Sequence, residues 1–380
     1  MVTPNPFLGT FYHGVGALSS SACYMPQKKV RAWSWHTYWL AQASFCWLLL
    51  PILGAVLTIP DLRAVLSEAP KGAMLASFLL GMAYGIGGTA FGVSIRYIGF
   101  SLTYAISIGL SSVLGAIIPP LLAGTLIGSF EKPGGWFILT GILIGVVGIA
   151  LSGAAGRIKE IGLRAKSGEE PSFPATPGAE ASSIASAEEL TRRSPHGEPR
   201  FSIGKGLLIS VLAGVLSAFY GFALTAGQPI ADAASRHGAG EFNGNVTFLF
   251  ANSGAFLTTL IYCGFLHARH KSAAEFITPP LNESRSRLGA NFAYSGLTGL
   301  LWYGQFFFYN LGHVHLGKTY AYTSWTLHMT MLVLFSGLWA LILREWAETR
   351  STAKALFGLA MALLLVGVFA LTYGNYLGTA

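Results

Sequence analysis

A stripe of polar side chains lies within the first apolar stretch of the chain. His13, Ser20 and Tyr24 are spaced i, i+7 and i+11, so they share one face of a helix. A polar side chain in hydrocarbon is costly, and such residues usually face the interior of a helix bundle or a cavity. The stripe therefore predicts a polar site that is enclosed by helices.

Two later apolar stretches carry further polar faces. Gln305, Tyr309 and His313 follow i, i+4 and i+8, and Trp325 lies one turn before His328. The simplest arrangement of these helices points their polar faces at one cavity. Hydrogen bonds between neighbouring helices are the structural alternative for any single residue among them.

The chemistry of this cavity suits a neutral solute. No Asp or Glu lies inside any predicted span, and Arg96 lies at a span end, where its long side chain can reach the membrane surface. A cation would require a buried carboxylate, and an anion would require a buried Lys or Arg. Ser, Tyr and Gln side chains pair with hydroxyl groups and Trp offers an apolar face, which together fit a small polyol. The predicted substrate-binding set is His13, Ser20, Tyr24, Tyr84, Gln305, Tyr309, His313 and Trp325.

Three histidines are the well-embedded groups that can change charge near neutral pH. If transport is coupled to a proton, His13, His313 and His328 are the candidates, with His13 and His328 placed first. A neutral imidazole that hydrogen-bonds the solute or another helix is the alternative. No embedded pair of histidines at i, i+4 accompanies a carboxylate, so we expect no metal and no cofactor other than a coupling proton.

The elements that position these residues are predicted to be membrane-spanning helices. Only 11% of the 380 residues are charged and 52% are apolar, whereas soluble proteins carry about 25% charged residues. A span needs about 20 mostly apolar residues. Such windows lie near 7–26, 37–59, 72–95, 99–124, 135–155, 206–228, 243–266, 291–314, 319–343 and 354–377.

The basic residues indicate how these spans are oriented. The net charge of +8 could indicate nucleic acid binding, but the Lys and Arg residues lie between apolar runs, as membrane topology produces. The loops after odd-numbered spans hold 19 of them and the loops after even-numbered spans hold 5. Because Lys and Arg concentrate on the cytoplasmic side, both termini are predicted to be periplasmic.

The chain divides into two halves of five predicted spans. Residues 1–155 form the first half and 206–380 the second, and 156–205 are predicted to be a largely disordered cytoplasmic linker that is rich in Ser, Ala, Pro and Glu. Weak internal matches relate Tyr84 to Trp302 and Ser19 to Ser217. With five spans in each half the second enters from the opposite side, which predicts the inverted repeat of many transporters.

Several longer runs of residues carry a family resemblance. They are ACYMPQKKV at 22–30 followed by Trp33-Ser34-Trp35, RYIG at 96–99, WYGQFFFY at 302–309 followed by Gly312-His313, and SWTLHM at 324–329. These runs resemble the bacterial L-rhamnose–proton symporters of the drug/metabolite transporter superfamily, and the likeness covers nearly the whole chain outside 167–199. It implies an all-α integral membrane protein with ten helices in two inverted repeats, located in the bacterial inner membrane, that takes up L-rhamnose or a related deoxy sugar with a proton by alternating access.

One departure from the family leaves the proton coupling open. An enterobacterial member of the family carries an acidic residue between two tyrosines before the Ser-Trp motif, whereas this chain has Ala321 between Tyr320 and Tyr322. The main alternative is a carrier of the same fold for another small neutral metabolite, working as a facilitator or an exporter. An enzyme within the membrane would need an embedded nucleophile, carboxylate pair or metal set, so we expect a transporter whose partners are a sugar, a proton and the bilayer, without nucleic acid.

Overall fold

The regular structure of the chain is entirely helical in the part that is described. The computed structural model describes residues 3–98, 100–122, 124–167, 203–279, 285–317 and 319–379. The long helices of the first half are α1 (Pro6–Ala22), α2 (Trp35–Thr58), α3 (Lys71–Ile98), α4 (Phe100–Leu122) and α5 (Gly135–Ser167). Those of the second half are α6 (Ile203–Ala226), α7 (Asn245–His270), α8 (Arg285–Leu316), α9 (Thr323–Ile342) and α10 (Ser351–Leu377). Shorter helices cover Tyr24–Gln27, Leu62–Glu68, Leu126–Glu131 and Gln228–Arg236.

Several of these helices are suited to a bilayer. Among the described residues, 8 helical stretches are long and apolar enough to cross a membrane, and they coincide largely with α2 to α7, α9 and α10. Helix α1 has only 17 residues, and α8 has 32 residues that include several polar side chains. The prediction of an all-helical chain with several apolar spans is confirmed, and the count of ten spans stays a prediction.

A carboxylate from the second half holds the start of α2. Glu275 Oε2 accepts hydrogen bonds from the Ser34 backbone N–H at 2.7 Å, from Ser34 Oγ at 2.8 Å and from Thr37 Oγ1 at 2.5 Å. A negative group is favoured at a helix N-terminus because it satisfies unpaired N–H groups and complements the helix dipole. This contact therefore fixes the first turn of α2. Trp39 lies one turn further along α2 and is buried in the bundle.

Helix α2 changes its pitch in the middle. Residues Ser44–Leu49 form a π-helical segment just before Pro51, which has no N–H to donate and crowds the preceding turn. Such segments shift the direction of the side chains that follow them and often lie near functional sites. Here the π-helical segment contains Trp47, whose ring contacts Trp302 with centroids 5.5 Å apart.

Small residues allow α3 and α7 to approach closely. A Cβ added at Gly81 would collide with the carbonyl oxygen of Ala251, and one added at Gly85 would lie 2.7 Å from the carbonyl oxygen of Ala255. Gly88, one turn further, would meet only the tip of Trp47 at 3.8 Å. Gly81 and Gly85 thus act in helix packing, whereas Gly88 faces open space.

Other helix contacts are made between the two halves of the chain. Helix α1 packs against α8 and α9, and α6 packs against α3 and α4. Helix α5 packs along α10. Helix α5 continues to Ser167, beyond the span end predicted at 155, and α6 begins at Ile203, before the linker end predicted at 205. The part of the predicted linker between them, 168–202, lies outside the described residues. The linker and the division into halves therefore stay predictions.

An ion pair joins two short helices near their ends. Glu68, at the end of Leu62–Glu68, lies 2.6 Å from Arg236 Nη2 and 2.8 Å from His237 Nε2, at the end of Gln228–Arg236. The hydrogen bonds from His237 and Arg236 lower the pKa of the Glu68 carboxyl. This side chain is 43% exposed, so the pair is screened by solvent.

Candidate functional site

A cavity of about 100 Å³ lies between helices of both halves. Its aromatic lining includes Trp39 of α2, Tyr84 of α3 and Trp302 of α8. The rings of Trp39 and Trp302 meet edge to face with centroids 5.6 Å apart. A single buried water needs roughly 10–15 Å³, so the cavity has room for a small solute.

Hydroxyl and amide groups also face this cavity. Gln305 of α8 lines it at 7% exposure and makes no hydrogen bond to another described residue. Ser20, Ser111 and Ser217 contribute hydroxyls from α1, α4 and α6. Trp325 Nε1 donates to Ser111 Oγ at 3.2 Å, which fixes the indole of α9 against α4.

The cavity lining carries no formal charge. None of its described residues is Asp, Glu, Lys or Arg. Within the described residues there is also no group of three or more His, Cys, Asp or Glu side chains placed to hold a metal ion. An uncharged lining of hydroxyl, amide and indole groups is suited to a neutral ligand whose hydroxyls need partners and whose C–H face can lie on an aromatic ring.

Four of the eight substrate-binding residues predicted from the sequence line the cavity. They are Ser20, Tyr84, Gln305 and Trp325. Tyr24 begins the short helix Tyr24–Gln27, and its side chain lies outside the part of the structure that is described. The others, His13, Tyr309 and His313, lie outside the lining, in a neighbouring cluster.

This neighbouring cluster, called the histidine cluster below, contains His13, Tyr309, His313, Ser324 and His328. His13 Nε2 lies 3.0 Å from Ser324 Oγ. The His13 ring is 5.1 Å from that of Tyr309 and 5.6 Å from that of His328. The Tyr309 and His313 rings stack at 5.9 Å. The predicted proton-coupling residues, His13 and His328, are therefore neighbours.

The cluster contains polar atoms that are buried and unpaired. Neither ring nitrogen of His328, nor Nδ1 of His13, has a hydrogen-bond partner among the described residues. Both side chains are at most 1% exposed. A buried polar group without a partner is destabilising, so these nitrogens mark a place where a water or a solute that hydrogen-bonds them would be stabilised.

Trp325 connects the histidine cluster to the cavity. Its indole lines the cavity and meets the ring of Tyr309 edge to face at 5.9 Å. On α8, His313 lies two turns beyond Gln305, which is roughly 12 Å along the helix axis. The cluster therefore extends from the cavity toward the connection between α8 and α9.

The cavity itself extends toward the other end of the bundle. Ser20 and Cys23 are near the end of α1, Trp39 is near the start of α2, and Tyr104 is near the start of α4. Ser336 lies in the second half of α9. These positions lie on the side of the connections that follow odd-numbered helices, opposite to the histidine cluster.

Sequence reasoning missed some of the lining. Trp39, Phe91 and Ser336 were not among the predicted site residues, because nothing in an apolar run shows which side faces a cavity. The weak internal repeat did contain a usable signal. It relates Tyr84 to Trp302, and both line the cavity.

Comparison with known proteins gives consistent matches along the chain. A family model described as L-rhamnose-proton symport protein (RhaT) matches residues 4–172 and 181–376. The L-rhamnose-proton symporter of Klebsiella pneumoniae is 30% identical over 360 residues, covering 94% of this chain and 95% of the relative. That of Cronobacter sakazakii is 32% identical over 360 residues, with the same shares, and that of Pectobacterium atrosepticum is 32% identical over 346 residues, with 90% of each chain covered.

Proposed function

The chain belongs to the L-rhamnose-proton symport protein family, which confirms the resemblance seen in its sequence, and we propose that it takes up L-rhamnose together with a proton. It is a transporter rather than an enzyme, and it is a multi-pass protein of the bacterial inner membrane. Its partners are the sugar, the proton and the lipid bilayer. The relatives that share its length are named as symporters of this sugar and ion, and no further cofactor follows from that activity.

The uncharged cavity is the observation that best supports a neutral sugar as the substrate. Gln305 has an unpaired amide that can both donate to and accept from sugar hydroxyls. Trp39, Trp302 and Trp325 line the cavity, and an indole ring can pack against the C–H side of a pyranose. A charged solute would leave its charge unpaired here, because no described lining residue carries the opposite one.

The histidine cluster is our proposed route for the proton. His13 and His328 are buried beside each other, and Trp325 and Tyr309 connect them to the cavity. An imidazole can accept and release a proton near neutral pH, which an amide or a hydroxyl cannot. In this proposal Ser20, Tyr24, Tyr84, Gln305 and Trp325 bind the sugar, His13, Tyr309 and His313 contact it as it enters, and His13 or His328 carries the proton.

We further propose that α1 to α10 all cross the membrane as two inverted repeats of five. The contact of α1 with α8 and α9 has its counterpart in the contact of α6 with α3 and α4, and α5 pairs with its own counterpart α10. A two-fold relation between the halves would produce this pattern. The bias of Lys and Arg toward odd-numbered loops supports cytoplasmic odd loops and periplasmic termini.

In this orientation the cavity and the histidine cluster lie toward opposite sides of the membrane. The cavity lies toward the odd-numbered connections and so toward the cytoplasm, while the histidine cluster lies between it and the periplasm. Alternating access would then require the contacts around His13, Tyr309 and Trp325 to separate, because these rings fill the outward path. The proton and the sugar would meet at Trp325.

Ligand binding by the purified protein tests the proposed substrate. We expect L-rhamnose to raise the unfolding temperature selectively among a panel of neutral sugars, and to do so differently at mildly acidic and mildly alkaline pH. A clear response to another neutral metabolite with none to L-rhamnose would contradict the substrate while leaving the family and the fold in place.

A further inference from the structure

Two polar contacts join α4 and α9 along one wall of the cavity. Trp325 Nε1 donates to Ser111 Oγ at 3.2 Å, and the Tyr104 hydroxyl lies 3.4 Å from Ser336 Oγ. The residue numbers fall along α4 as they rise along α9, so the two helices are antiparallel here. The polar contacts therefore mark the two ends of the wall.

The wall between these contacts is apolar. Ile108 lies one turn from both Tyr104 and Ser111 on α4, and Met329 and Leu332 lie between Trp325 and Ser336 on α9. All three of these apolar side chains line the cavity. They form a patch, called the methyl patch below, that has no hydrogen-bonding group of its own and is bounded by polar groups on either side.

A patch of this kind can discriminate between two sugars that differ in a single substituent. L-rhamnose carries a methyl group where L-mannose carries a hydroxymethyl group, and the two sugars are otherwise alike. Burial of a methyl group against apolar side chains is favourable, whereas a hydroxyl that is buried there loses its hydrogen bonds to water without replacement. Ring hydroxyls, in contrast, have partners at Gln305 and the serines on other helices.

We infer that Ile108, Met329 and Leu332 receive the methyl group of the sugar and make the carrier selective for deoxy sugars. This inference rests on the proposed function and adds the residues that set its specificity. An apolar pocket rejects an added hydroxyl by at most about 100-fold, so we expect L-rhamnose to be preferred over L-mannose on the order of 10- to 100-fold. The preference should appear in both binding and uptake.

Substitution of Met329 tests this assignment with a matched control. Met329→Gln keeps the length and shape of the side chain but supplies a donor and an acceptor to the extra hydroxyl of L-mannose. Met331→Gln makes the same change on the same helix, at a residue that is 7% exposed and packs beside Gly14 rather than against the cavity. We expect the L-rhamnose to L-mannose ratio to fall several-fold in Met329→Gln and to stay at the wild-type value in Met331→Gln.

Measuring a ratio within each variant removes differences in expression. Should Met329→Gln fail to fold, Ile108→Thr introduces a hydroxyl into the same patch from α4 and should lower the ratio in the same direction. Equal affinity of the wild-type protein for both sugars, or an unchanged ratio in the folded patch variant, would overturn the inference. A wild-type protein that binds neither sugar would instead contradict the proposed function, so the two failures are distinguishable.

Discussion

Replacing Gln305 by Met should weaken sugar binding without harming the fold. The change preserves the length of the side chain and removes its hydrogen-bonding groups, so the cavity keeps its volume. Gln305 makes no hydrogen bond to another described residue, and the unliganded protein therefore loses no contact that the structure shows. The loss should appear only when the sugar is bound.

The size of the effect follows from the bonds that the amide can make. A neutral hydrogen bond contributes about 0.5–1.5 kcal/mol net, and the Gln305 amide can make two with neighbouring sugar hydroxyls. The variant should lose about 1–3 kcal/mol of binding free energy, or roughly 5- to 150-fold in Kd. Calorimetry on the purified protein measures this, and uptake into vesicles at low sugar concentration should fall in parallel.

A second glutamine provides the control. Gln42 of α2 is fully buried outside the cavity lining, and both of its amide atoms lack a partner among the described residues. Gln42→Met should therefore leave sugar affinity unchanged and leave the unfolding temperature unchanged or higher, because an unpaired buried amide is destabilising. Wild-type affinity in Gln305→Met would refute the assignment of Gln305 to the sugar site.

Three further predictions concern coupling, packing and pH. His13→Gln and His328→Gln should preserve exchange of labelled sugar across vesicles but abolish accumulation driven by a pH gradient, whereas the control His237→Gln, at a partly exposed histidine away from the cluster, should preserve both. Normal accumulation in both cluster variants would exclude the histidine route. Gly81→Ala should destabilise the protein by about 1–3 kcal/mol, because the new Cβ collides with the Ala251 carbonyl. Gly72 lies on the same helix, and a Cβ added there meets no neighbour within 4 Å, so Gly72→Ala should not lower the unfolding temperature. An equal loss of stability in Gly81→Ala and Gly72→Ala would contradict the role of Gly81 in helix packing. The lowered pKa of Glu68 means that its pair with Arg236 and His237 stabilises the fold above the ordinary carboxyl pKa of about 4.3, and that this stability is lost as pH falls through the lowered value. Glu68→Gln should reduce the acid dependence of the unfolding temperature, and an identical pH profile would contradict that contribution.

The helices were predictable because apolar runs of span length have few other uses in a chain with so little charge. Predicted spans such as 354–377 lie close to the observed helices, here Ser351–Leu377. The end of α5 was harder, since a helix can continue into water beyond the apolar run that signals it. The length and hydropathy of a run predict which segment can cross the membrane, but they do not predict where its helix ends.

The site was predictable only where polarity contrasts with an apolar background. Gln305, Ser20, Tyr84 and Trp325 line the cavity, and their roles in sugar binding stay predictions. Trp39 gave no signal, because Trp is also common at the membrane–water interface, where it anchors a helix without lining a site.

The histidine cluster shows a second limit of sequence reasoning. Periodicity placed Gln305, Tyr309 and His313 on one face of α8, but a face about two turns long can serve two neighbouring sites. Only the packing of α1 and α9 against α8 shows that Gln305 belongs to the cavity and Tyr309 to the cluster. Which residues share a helix face follows from sequence, whereas which site they join depends on tertiary structure.

Transport by the purified protein in liposomes tests the central claim most directly. An inside-alkaline pH gradient should drive L-rhamnose to a higher concentration inside than outside, with protons entering alongside it, and a protonophore should collapse the accumulation. Equilibration of L-rhamnose without accumulation and without proton entry would contradict a proton-coupled carrier.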